Sequence, residues 1–143
     1  MSVADRPTSP FELSVSHLGA DSFDTSGTRS FFEYRDLGIR AATKGEFNAT
    51  HVRALAGEHG TTGWHYHPLT IQIVYCLRGW EDIAFEDGRL VRLAPGTCVN
   101  IPPGLGHNEI AYSDDFEALV IWAPESFETV SIPEPVITEP RCT

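Results

Sequence analysis

The chain has 143 residues and a formal net charge of −10, and 41% of its residues are hydrophobic. This length suits one domain that can bury a core, and the hydrophobic content is ordinary for a globular protein. The acidic balance, 20 Asp and Glu residues against 10 Lys and Arg residues, argues against nucleic-acid binding. No apolar run approaches the roughly 20 residues that cross a bilayer, and no secretory signal is visible, so we expect no membrane partner.

The cysteines bear on the compartment. Cys76, Cys98 and Cys142 form an odd set without close spacing. This pattern argues against a disulfide scaffold and favours the reducing cytoplasm.

Three regions follow from the change in composition along the chain. Residues 1–30 are rich in Ser, Thr, Asp, Gly and Pro without a sustained period, and we predict an N-terminal arm that docks on a partner subunit. Residues 31–125 are predicted to form the folded barrel. Residues 126–143 alternate apolar residues with prolines, which predicts an extended C-terminal tail.

Short strand-like runs separated by turn signals fill the central region, and we see no convincing helix there. Many short strands at this spacing predict an all-β sandwich or barrel. The predicted strands are Phe31–Tyr34, Asn48–Leu55, Trp64–His67, Ile71–Leu77, Glu81–Phe85, Leu90–Leu93, Cys98–Ile101, His107–Tyr112 and Phe116–Trp122.

Three histidines point to a metal site. His65 and His67 are two residues apart on a predicted strand, so their side chains face the same way. His107 follows a turn built from prolines and glycines about forty residues later. Three converging imidazoles form a site for a divalent transition metal.

The spacing around these histidines resembles the two sequence motifs of the cupin superfamily. From His65 the chain reads His-x-His, four residues, Gln72, six residues, Gly79, and from Gly96 it reads five residues, Pro, one residue, Gly, two residues, His107. The resemblance covers residues 59–111 and implies a double-stranded β-helix (jelly-roll) barrel in one domain. It implies His65, His67 and His107 as metal ligands, with Gln72 in the place of a fourth ligand.

The chain departs from the cupin pattern at three positions, since His59 replaces a Gly, Gln72 replaces the metal-binding Glu and Ala111 replaces an Asn. A neutral amide binds a metal more weakly than a carboxylate, so the ion keeps more positive charge and acts as a stronger Lewis acid. An all-nitrogen site suits zinc best, with iron, nickel or manganese as alternatives. The fourth ligand is left open between His51, His59, Gln72 and water, and His51 reaches the cavity only if its strand carries a one-residue bulge.

The surroundings of the three histidines indicate the substrate and the assembly. Glu109 lies two residues after His107 on the same strand face, where it can act as an acid or base, and Gln72 can hydrogen-bond a substrate oxygen. The expected lining is apolar and aromatic, without an Arg or Lys cluster, which suits a flat oxygenated aromatic or polyketone. The opposite face of the Ile71–Leu77 strand is also apolar, which predicts a covering partner and hence a homodimer.

Within the superfamily, the short single-domain chain with Gln in the Glu position is similar to the aromatic polyketide cyclases of actinobacteria, the resistomycin cyclase type. This resemblance implies a metal-dependent cyclase of antibiotic biosynthesis that closes rings of a poly-β-ketone by intramolecular aldol condensation. The alternative is a cupin dioxygenase that acts on a flavonol, diketone or thiol, which the three-histidine face allows and the missing Glu disfavours.

Overall fold

Two β-sheets face each other in the computed structural model, which describes residues 2–126 and 128–143. Met1 of the predicted arm and Phe127 of the predicted tail lie outside the described residues. The strands of the described chain are β1 (Phe32–Asp36), β2 (Asn48–Ala54), β3 (His65–Tyr66), β4 (Ile71–Arg78), β5 (Glu81–Phe85), β6 (Arg89–Leu93), β7 (Cys98–Asn100), β8 (His107–Tyr112), β9 (Glu117–Ala123), β10 (Val130–Ser131) and β11 (Arg141–Cys142).

The sheets have the strand orders β1-β2-β9-β4-β7 and β10-β3-β8-β5-β6-β11. Neighbouring strands run antiparallel except for the β6–β11 pair, which is parallel. Inward-facing side chains of both sheets pack into one core, whose most buried members include Cys76, Ile83, Leu93, Phe116 and Ala118. The chain is therefore a single all-β domain with the predicted jelly-roll architecture.

The strand predictions agree with the structure within one or two residues at most ends, and Glu81–Phe85 and His107–Tyr112 agree at both ends. The structure adds a 3₁₀ turn at Val3–Asp5 and a four-residue helix, α1 (Ile39–Ala42). One helical turn is too short to show an amphipathic repeat, so no periodic pattern marks it in the sequence. No helix in the described part of the chain is long and apolar enough to cross a membrane.

Strand β4 separates an interior from an exterior face. Gln72, Val74 and Cys76 are buried inside the barrel, as regular alternation predicts. On the outside, Tyr75 and Leu77 are 40% and 45% exposed. This apolar outer face is thus only partly covered within the single chain.

Both terminal segments lie against the barrel of the same chain. In the arm, the Glu12 amide donates to the Ala42 carbonyl at 2.9 Å, and the Arg35 guanidinium donates to the Ser16 carbonyl at 3.1 Å. In the tail, β10 pairs with β3 and β11 pairs with β6. The arm therefore contacts the barrel of its own chain at these residues, and its docking on a partner subunit stays a prediction. The tail adds two short strands, β10 and β11, that its prolines had concealed.

Candidate metal centre

The three predicted histidines meet inside the barrel. His65 on β3 is the direct register partner of His107 on β8, and His67 follows β3 by one residue. Their candidate ligand nitrogens all lie within 4.8 Å of one another. All three residues are buried, with exposed fractions of 2% for His65, 5% for His67 and 0% for His107.

The turn before His107 is tied to the strand that carries the other two histidines. Gly104 has a φ of +79°, a left-handed conformation that glycine adopts without steric cost. Its amide donates to the His67 carbonyl at 3.2 Å, and the Gly106 amide donates to the Glu86 carboxylate at 2.8 Å. The motif glycines and prolines thus set the position of the third imidazole relative to the first two.

Backbone carbonyls orient the three rings. The Nδ1–H groups of His65, His67 and His107 donate to the carbonyls of Gly63, Glu128 and Leu105 at 2.7, 2.8 and 2.9 Å. With Nδ1 protonated, Nε2 carries the lone pair of a neutral imidazole. The His107 Nε2 atom is fully buried and has no hydrogen-bond partner among the described residues. An orphaned buried nitrogen beside two similar rings fits a metal ion, because a ligand bond would satisfy it.

Burial favours the neutral form of the His65 and His67 imidazoles. Desolvation is the main cause that lowers the pKa of His65, and it lowers the pKa of His67 to about 4. Neutral imidazole is the form that binds metals, so the protein presents these two ligands ready for binding at neutral pH.

Glu109 lies beside the imidazoles. Its Oε2 is 3.9 Å from His65 Nε2, and its Oε1 is 3.8 Å from His107 Nε2. The Thr62 hydroxyl donates to Oε2 and fixes the carboxylate. Burial raises the pKa of Glu109, but His107, His65 and the Thr62 hydrogen bond together outweigh it and lower the pKa below its usual value. The predicted acid/base residue is thus an ionised carboxylate next to the three histidines.

Gln72 is buried, 5% exposed, and lines the same cavity as His65 and His67. The structure therefore brings the amide to the region where the motif predicts a fourth ligand. His59, another candidate for that place, lies on the surface near Asp114 and does not join the three histidines.

The structure does not bring His51 to the three histidines. Thr50 and Val52 face the cavity, so the alternation of β2 turns His51 outward, where its Nε2 is 3.2 Å from Glu117 Oε2. The pairing of β2 with both neighbours is regular. Because the bulge that would bring His51 inward is missing from β2, the fourth-ligand assignment of His51 loses its structural basis.

A cavity of about 470 Å³ opens next to the histidines. Val74, Val120 and Trp122 contribute the expected apolar wall. The cavity is more polar than the sequence suggested, because the lining also contains Asp24, Arg29, Tyr34, Asp36, Arg40, Glu81 and Glu109. Glu81 could have been found from its strand, where it shares the inward phase of Ile83 and Phe85. Arg29 lies in the arm, where no periodic signal marks its direction.

The fold is similar to that of several solved structures. The polyketide cyclase RemF from Streptomyces resistomycificus has a TM-score of 0.69 at 18% identity, with 88% of this chain and 89% of that chain covered. KdgF from Halomonas sp. has a TM-score of 0.58 at 19% identity, covering 73% and 86% of the two chains. A Bacillus subtilis oxalate decarboxylase with Mn(II) centres has a TM-score of 0.56 at 21% identity, covering 71% of this chain and 28% of that one.

No curated protein matches the chain by sequence. A family model, described as the cupin domain, matches residues 51–124, which is more than half of the 143 residues and includes all three histidines. The predicted membership is thereby confirmed, and the chain belongs to the cupin family.

Proposed function

We propose that this protein is a metal-dependent cyclase that closes rings of a poly-β-ketone by intramolecular aldol condensation. The observation that carries the proposal is the buried three-imidazole group with a carboxylate, Glu109, within 4 Å of two of its rings. Ring closure of this kind needs a base that removes a proton from a methylene and a group that activates a ketone oxygen. The site supplies candidates for both.

His65, His67 and His107 would hold one divalent ion, and the all-nitrogen donor set suits zinc best. Iron, nickel and manganese also bind imidazole and remain alternatives. When bound, the ion would act as a Lewis acid on a substrate carbonyl and favour loss of the proton between two ketones.

Glu109 is assigned the role of base. The Thr62 hydroxyl holds Oε2, and the Glu109 amide in turn donates to that hydroxyl at 3.0 Å, so the carboxylate keeps its direction toward the imidazoles. A base fixed in this way accepts the methylene proton without a search over rotamers. Gln72 adds a neutral amide to the same cavity, where it can donate to a second substrate oxygen without adding charge.

The cavity would hold the carbon chain of the substrate in a folded conformation. A volume of about 470 Å³ is in the range of small-molecule sites. The apolar wall of Val74, Val120 and Trp122 offers a surface for the carbon chain, and the arm adds the polar lining residues Asp24 and Arg29. The likeness to RemF over most of both chains agrees with this proposal and concerns the fold.

Ring closure of a synthetic triketone or tetraketone tests the proposal. The zinc-loaded protein should form the cyclic product at the same rate in air and without oxygen, because aldol condensation involves no net redox change. Turnover that requires oxygen would refute the cyclase and favour the alternative, a dioxygenase acting on a flavonol, diketone or thiol. Elemental analysis of the purified protein identifies the bound metal in the same preparation.

We further propose that the protein is a cytoplasmic homodimer. The apolar outer face of β4, where Tyr75 and Leu77 are 40% and 45% exposed, is the candidate interface. Sedimentation equilibrium at micromolar concentration should give the mass of two chains, and Leu77→Asp should shift the protein toward the monomer. A wild-type monomer under these conditions would contradict this assembly.

A further inference from the structure

One wall of the cavity comes from the arm. Asp24 and Tyr34 exchange two backbone hydrogen bonds, at 2.9 and 2.7 Å. Gly27 lies so close to the Tyr34 ring that a side chain at this position would collide with it. The Arg29 amide donates to the Tyr34 hydroxyl at 3.1 Å. Residues 24–29 are therefore anchored along β1, and Arg29 keeps a defined place at the cavity.

The guanidinium of Arg29 is half-buried, lines the cavity and makes no hydrogen bond or ion pair within the described part of the chain. Other arginines are paired, for example Arg53 with Glu33 and Arg92 with Asp82. A guanidinium does not lose its proton, and a partly desolvated one gains free energy from an anion. The unpaired charge is therefore an open anion subsite.

The other charged groups of the wall are already engaged. The Asp24 carboxylate accepts from the Ser26 amide at 2.9 Å, and the Asp36 carboxylate accepts from the Gly38 amide at 2.8 Å. Arg40 lies 3.8 Å from the Glu125 carboxylate. Arg29 thus differs from Asp24, Asp36 and Arg40. Among these four side chains, it is the one that makes no hydrogen bond or ion pair with another described residue.

Arg29 is also near the three histidines. Arg29, His65 and His67 line the same cavity. A ligand in the cavity can therefore touch Arg29 and the imidazole group at once. An extended diketone with an acidic end has this arrangement of groups.

We propose that Arg29 binds a carboxylate of the substrate, so that the ligand is a free diketo acid whose 1,3-dicarbonyl unit faces His65, His67 and His107. The dicarbonyl part rests on the proposed function, whereas the carboxylate part rests on Arg29 alone. A free carboxylate at this subsite cannot at the same time be a thioester. The reaction that supplies the substrate must then be a thioester hydrolysis that releases the chain from its carrier.

Binding of two matched probes tests the subsite without any turnover. The probes are 4-acetyl-5-oxohexanoate and its ethyl ester, which share the diketone and differ in the carboxylate. We expect the zinc-loaded wild type to bind the acid about tenfold more tightly than the ester by calorimetry, since hydrogen bonds to charged groups are the stronger ones. Arg29→Gln should bring this ratio close to one, and Arg29→Lys should keep part of it.

Arg78→Gln is the charge-matched control. This substitution also removes one positive charge, but Arg78 is exposed on the surface. It should keep the tenfold preference, and zinc content should be equal in all variants. If acid and ester bind wild type equally, the Arg29 subsite is refuted while the diketone site stands. If the acid binds through Arg29 and the ester does not bind, the subsite stands while the proposed cyclase chemistry loses support. If neither probe binds, both proposals fail.

Discussion

Two buried carboxylates in the same cavity have opposite tendencies to ionise. Glu109 on β8 lies opposite Ile83, and Glu81 on β5 lies opposite Tyr112, one inward-facing position farther from His107. Burial raises the pKa of both carboxyls. The nearby imidazoles reverse this effect for Glu109, whereas the negative charges of Glu109 and Asp82 raise the pKa of Glu81 further.

The comparison teaches that the neighbours of a buried carboxyl, and not its burial, decide its charge in this barrel. Glu109 lies next to the candidate metal site and has a lowered pKa. Glu81 lies one inward-facing position farther along the strand pair and has a pKa raised well above its usual value. Four changes to single residues should break or sharpen this difference, and they are described from the largest expected effect to the smallest.

Removal of a histidine should abolish both metal binding and the difference in pKa between Glu109 and Glu81. His107→Ala takes away one of three ligands and the neighbour that most favours ionised Glu109. We expect bound metal to fall from one ion per chain to a trace, a larger loss than the roughly 10–100-fold that results when a ligand merely loses its orienting partner. Inductively coupled plasma analysis after dialysis measures this. His51→Ala is the control, because His51 faces outward, and full metal in His107→Ala would disprove the site.

Glu109→Gln should remove the base while keeping the shape of the side chain. Ring closure of the triketone probe should slow by about 10²–10⁴-fold, the usual contribution of a positioned base. Glu117→Gln is a closely matched control, since Glu117 also lies near a histidine, His51, but outside the cavity. If the two variants have equal rates with equal metal content, Glu109 is not the base.

Gln72→Glu should restore the carboxylate that the cupin motif has at this position beside the three histidines. The added negative charge reduces the net positive charge at the histidines, so activation of a substrate carbonyl should weaken. A shift of one pKa unit in the acidity of the substrate corresponds to about 1.4 kcal/mol, so we expect a several-fold to tenfold slower rate at neutral pH. Gln72→Met tests the amide without adding charge. A Gln72→Glu protein as fast as wild type, with its metal bound, would remove Gln72 from the mechanism.

Glu81→Gln should change stability and not metal binding. The folded-state pKa of Glu81 lies above the value of 4.5 expected for the unfolded chain, so the folded protein keeps a proton that the unfolded chain releases. By linkage, wild type loses stability as the pH rises above 4.5. Glu81→Gln has no such proton, and its melting temperature should exceed that of wild type by a few degrees at pH 8 but not at pH 4.5.

Glu46→Gln, at an exposed position, should show no such pH-dependent gain. A difference between Glu81→Gln and wild type that is the same at both pH values would mean that the proton of Glu81 plays no part in it.

Much of this molecule could be predicted from local sequence. The alternation of Glu81–Phe85 and His107–Tyr112 gives these strands, and the spacing of His65, His67 and His107 gives the centre. These features depend on the alternation of residues along a strand and on glycines and prolines in turns. Both signals can be recognised within a short stretch of sequence.

The parts that escaped prediction depend on distant contacts. His51 points outward because β2 is regular against both neighbours, and the sequence does not reveal whether a bulge is present. Arg29 reaches the cavity because the arm is anchored on Tyr34, a contact between segments without a shared pattern. The β10 and β11 pairings involve only two residues each, too few for an alternation to be recognised.

The carbonyl that orients His67 belongs to Glu128, 61 positions later in the chain. The centre is therefore incomplete until that residue has been synthesised and has folded back along β3. A growing polypeptide on the ribosome can fold most of its strands before it can present three oriented imidazoles. If the three imidazoles hold a metal as proposed, its insertion is then a late event in biogenesis, and a chain that stalls before residue 128 should bind a divalent metal more weakly than the full chain.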